Sequence, residues 1–61
     1  MAVEGYYVQN TIRTLEITIR DLEKRLEKIM LESPQAGEEV RQIIDYLKIK
    51  EKKIQDSLRL F

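Results

Sequence analysis

The sequence predicts an all-α fold: an antiparallel two-helix hairpin of coiled-coil type that assembles into a helical bundle, either as an oligomer or with a partner. Three observations predict it. Apolar residues recur at alternating spacings of four and three from Val8 to Ile29, the same pattern returns from Val40 to Phe61, and the single proline of the chain lies between the two stretches. Such alternation keeps side chains on one face of a helix, and over several turns it makes the seam of a coiled coil.

The first seam is Val8, Ile12, Leu15, Ile19, Leu22, Leu26 and Ile29. No glycine or proline interrupts Ile12 to Glu32. Glu16 with Arg20 and Asp21 with Arg25 set acid before base four residues apart, an order that supports a helix by about 0.2–0.5 kcal/mol per pair. Residues 1–5 carry no periodicity and end in Gly5, so they are expected to form a flexible leader, with the first helix over about 6–32. Asn10 or Thr11 offers an N-cap for a later start.

Ser33, Pro34, Gln35, Ala36 and Gly37 punctuate the chain, and the turn is expected at 33–37. Proline disfavours helical angles in the residue before it and so ends the first helix. Serine followed by proline is also the pattern of an N-cap and a first helical residue. Gly37 offers a second possible start, because Glu38 and Glu39 would then lie near the positive end of the new helix.

The second helix is expected over about 38–61, with the seam Val40, Ile44, Leu47, Glu51, Ile54, Leu58 and Phe61. Folding the chain at the turn sets Ile29 against Val40, Leu26 against Ile44, Leu22 against Leu47 and Ile19 against Glu51. Leu15 then meets Ile54, Ile12 meets Leu58 and Val8 meets Phe61, so the two seams stay in register throughout. Two helices of similar length joined by a short turn are antiparallel neighbours.

A hairpin alone leaves these seams half exposed, and a chain of 61 residues without disulfides is marginal unless another surface covers it. Met30, Leu31, Ile43, Tyr46, Ile49 and Leu60 are apolar residues outside the seams, and they are the expected partner or oligomer interface. They widen the apolar stripe beyond two positions per heptad, as in a helix of a bundle. Ile17 lies on the face opposite the first seam. Glu51 is the one polar seam position. Either a slight rotation of the helix takes it to solvent beside Lys50, or it is a polar group that selects register or partner.

Composition excludes much chemistry. The chain has no cysteine and no histidine, so thiolate catalysis, imidazole acid–base chemistry and their metal sites are absent. Ser33 and Ser57 have no histidine base, there is no phosphate-binding glycine loop, and the adjacent Glu38 and Glu39 do not supply the convergent oxygens a hard cation needs. No enzyme activity, cofactor, metal or small-molecule substrate is expected.

Eleven basic and eleven acidic residues balance, so no net charge draws the chain to nucleic acid or to an anionic membrane. Lys48, Lys50, Lys52 and Lys53 spread over more than half the circumference of a helix, the pattern of a solvated face. No apolar run exceeds three residues, so neither a transmembrane span nor a signal peptide is expected, and the cytoplasm is the expected location.

In plan, two seams joined by one short turn, the chain resembles the two-helix hairpins of plasmid RNA-binding regulators of the Rop type, which dimerise into four-helix bundles. It equally resembles the small hairpin co-chaperones of type III secretion systems. Both resemblances cover the whole length and rest on layout. The expected function is that of a non-enzymatic interaction module: an adaptor, chaperone or regulator that self-associates, packs against amphipathic helices of another protein, or does both. The first resemblance implies the alternative, a dimeric hairpin binding structured RNA through basic side chains.

Overall fold

A computed structural model of the chain describes residues 3–58. Two helices, α1 (Val3–Glu32) and α2 (Pro34–Leu58), pack against each other as an antiparallel hairpin. The described part measures 49 × 15 × 10 Å, the length of about 30 helical residues at 1.5 Å rise each. Leu60, one of the expected interface positions, lies outside the described residues, as do Met1, Ala2 and the Phe61 that was expected opposite Val8.

The helix ends differ from the sequence expectation in two places. Gly5 does not end a leader: α1 already runs through it from Val3. A glycine costs a helix up to about 1 kcal/mol relative to alanine, which weakens the helix without stopping it. Asn10 and Thr11 are therefore interior, and the Thr11 hydroxyl donates to the Tyr7 carbonyl one turn back, at 2.8 Å.

At the other end of α1 the turn is one residue, Ser33, in place of the expected five. Its N–H donates to the Ile29 carbonyl at 2.8 Å and closes α1, while its own carbonyl accepts from Gly37 N–H at 2.9 Å and opens α2. The Ser33 hydroxyl oxygen accepts from Ala36 N–H at 3.2 Å, so serine is the N-cap and Pro34 the first helical residue, where its missing N–H is no loss. Gly37 lies inside α2 and is buried. A Cβ at this position would stand 2.9 Å from the Met30 Cα, so the absent side chain lets the two helices meet immediately after the turn.

Every described seam residue is buried or half-buried, and the apolar periodicity of both helices points inward as expected. Among the described residues only Ile12, Ile19 and Ile44 are buried apolar side chains, at 8%, 6% and 3% exposure. Two helices can enclose a line of contact and little more. Glu23 Oε2 lies 2.9 Å from Lys48 Nζ across the hairpin, one residue beyond the Leu22 and Leu47 expected to meet, in keeping with the expected register of the two seams.

Candidate interaction surface

The cross-hairpin ion pair distinguishes the two broad sides of the molecule. Glu23 and Lys48 each follow a seam residue by one position, so residues that follow the seams share their side: Glu16, Glu23 and Met30 from α1, with Arg41, Lys48 and Gln55 from α2. That side is charged, with two ion pairs formed within the hairpin. Arg41 is paired with Glu38, its Nε donating to Oε2 at 3.2 Å, and the pairing holds the Glu38 carboxyl below its ordinary value. Likewise the hydrogen bond to Glu23 raises the Lys48 ammonium.

Residues that precede the seams line the opposite side. From α2 these are Ile43, Lys50 and Ser57, with Glu39, Tyr46 and Lys53 next to them; from α1 they include Thr11, Thr18 and Arg25. Ile43 is 51% exposed and Tyr46 is 59% exposed. The Lys50 ammonium sits 5.5 Å from the centre of the Tyr46 ring, a cation–π contact that lays the lysine stem along the aromatic surface. Arg25 is held by Asp21 at 3.3 Å, while Glu16 forms no ion pair with Arg20.

The expected interface residues thus separate into three groups. Ile43 and Tyr46 are neighbours on this second side. Met30 is half-buried and lies against Gly37, where it closes the turn. Leu31 at 82% exposure and Ile17 at 60% lie on the outer face of α1, and Ile49 at 57% on the outer face of α2, each apart from the Ile43–Tyr46 side. A shallow depression beside Ile17, Thr18 and Lys24 is formed by α1 alone and is open to solvent, so it encloses no ligand.

Glu51 keeps its seam position and is half-buried. Burial pushes its carboxyl above the ordinary value, and the Glu16 carboxylate facing it across the hairpin pushes the same way. Its partner within α2 is Gln55, whose Nε2 donates to Oε2 at 3.4 Å. Neither Lys48 nor Lys50 neutralises it: one is bound to Glu23 and the other lies over Tyr46. The proximity of Glu16 was missed in the sequence, where the only signal was that Glu16 follows the seam residue Leu15 by one position.

No helix among the described residues is long and apolar enough to cross a membrane. The chain matches no protein-family model, no curated protein and no solved structure.

Proposed function

We propose that the chain is a non-enzymatic helical-hairpin module, an adaptor, chaperone or regulator, which acts by self-association or by packing against amphipathic helices of a partner protein. The observation that carries this reading is the imbalance between its seams and its core: thirteen of fourteen seam positions are apolar, yet only three apolar side chains are buried among the described residues. The chain exposes 5360 Å², where a compact monomer of its mass exposes about 4,200 Å². The excess is comparable with what one partner contributes to a protein interface, about 800 Å². The exposed, neighbouring Ile43 and Tyr46 support the Ile43–Tyr46 side as the surface for that contact.

Light scattering on the purified chain, with mass spectrometry of what copurifies from its source, tests the reading. The expected result is a mass above that of one chain, or a helical protein retained at moderate salt, either being lost in Ile43→Asp or Tyr46→Asp. A stably folded, isolated monomer would overturn it. Retention on RNA that falls steeply as salt rises would favour the RNA-binding alternative instead.

A further inference from the structure

We propose that a second copy of this chain covers the Ile43–Tyr46 side, packed antiparallel to the first, with Tyr46 on the two-fold axis and Glu39 of each copy against Lys53 of the other. The inference rests on the reading of this side as an association surface and names its occupant.

Glu39, Ile43, Tyr46, Lys50 and Lys53 follow one another at steps of four, three, four and three, so they form one line down α2 beside the seam. The line is acidic at one end, apolar in the middle and basic at the other. Tyr46 stands seven residues from Glu39 and seven from Lys53, about 10.5 Å from each along the axis. A two-fold axis through Tyr46 and perpendicular to α2 therefore sets Glu39 of each copy against Lys53 of the other and Ile43 against the aliphatic stem of Lys50. Such a surface is self-complementary, as an isologous contact requires. Glu39 and Lys53 are both exposed, and neither forms an ion pair among the described residues.

The same axis passes α1 near Glu23, the residue bound to Lys48. Asp21 and Arg25 straddle that position and are already paired within each copy at 3.3 Å, so the axis brings no unpaired like charges of α1 together. The competing arrangement, with both turns at the same end, would pack α2 of one copy on α1 of the other and gather Glu32 and Glu39 of both copies together. Like charges in register disfavour it.

Sedimentation equilibrium at low salt on charge-reversed full-length chains tests the proposal. Glu39→Lys and Lys53→Glu should each weaken self-association roughly tenfold, whereas the double variant, or an equimolar mixture of the two single variants, should return to within about threefold of the original. Glu27→Lys and Lys52→Glu make the same changes of net charge on the other side of the hairpin, and their mixture should show no such rescue. Because the chain has no cysteine, Tyr46→Cys should cross-link copy to copy under mild oxidation, and Ile17→Cys, on the outer face of α1, should not.

Association that Ile43→Asp abolishes but that ignores both charge reversals would overturn the antiparallel second copy while leaving the association surface in place. A folded monomer at about 100 µM, unchanged by Ile43→Asp, would overturn both.

Discussion

Gly37 lies so close to Met30 that a Cβ added to it would stand 2.9 Å from the Met30 Cα and 3.1 Å from the Met30 Cβ. The usual sign of a glycine substitution in a helix is thereby reversed. Gly37→Ala should destabilise the hairpin by about 1–3 kcal/mol through overpacking beside the turn. Gly5, also helical, has nothing within 4 Å of such a Cβ, so Gly5→Ala should stabilise by about 0.5–1 kcal/mol. Thermal unfolding followed by circular dichroism separates the two, and equal shifts of the same sign would refute the contrast.

Ser33 serves both helices, but its hydroxyl serves only α2. Ser33→Ala keeps the backbone bonds to Ile29 and Gly37 and loses the oxygen that accepts from Ala36 N–H. The expected cost is about 1 kcal/mol. Ser33→Asp should recover most of it, since aspartate is an equally good cap. Urea denaturation of the three proteins side by side provides the measurement, and an unaltered midpoint in Ser33→Ala would show that the cap contributes nothing.

Glu51 makes the seam sensitive to pH with a definite sign. Its folded carboxyl titrates above the ordinary value of 4.5, through burial first and then through Glu16. Between the ordinary value and the raised one the folded chain holds more protons than the unfolded chain, so this site loses stability as pH rises through that window. Glu38, held down by Arg41, acts in the opposite sense: its stabilisation is present above the ordinary carboxylate value and is lost as pH falls through its lowered one. Glu51→Gln should therefore raise the melting temperature more at about pH 7 than at about pH 4. Equal gains at both values would exclude a carboxylate penalty.

Glu51→Leu extends the same argument to packing. Completing the apolar seam opposite Ile19 should raise the melting temperature by roughly 5 °C and loosen the selection of oligomeric state, because a polar seam position penalises alternative pairings. Light scattering of the variant checks the second part. A single unchanged species of unchanged stability would count against any such role.

The Glu23–Lys48 pair should contribute far less than its position suggests. Both side chains are about half exposed, and an exposed ion pair is worth roughly 0–1 kcal/mol. Glu23→Gln should shift the unfolding midpoint only slightly, and less still in high salt. A large shift would mean that the pair fixes register as well as reporting it.

The seams and their register were legible in the chain because a period repeated over about six turns leaves little room for another reading. The Ser33–Pro34 junction was legible as well, through the cap chemistry of serine before proline. The glycines misled in opposite ways: Gly5 read as a break and Gly37 as a turn residue, yet both are helical. Glycine marks either flexibility or close approach, and only the position of Met30 decides between them. At the surface, Ile43 and Tyr46 could be grouped by spacing. Separating them from Leu31 and Ile49, and bringing Glu16 to Glu51, required knowing which flank of each helix faces which, information that one helix's periodicity does not contain.

Pro34 has a consequence for the shape the chain can take when it opens. With a single residue between its helices, the hairpin is one short segment away from a continuous rod of roughly 84 Å, which could exchange helices with its neighbours. Proline blocks that rod, because it lacks the N–H that would continue the helical ladder and its ring collides with the carbonyl of Met30. Removing the ring, as in Pro34→Ala, would lift this barrier and give an opened chain an unbroken helical path through the junction.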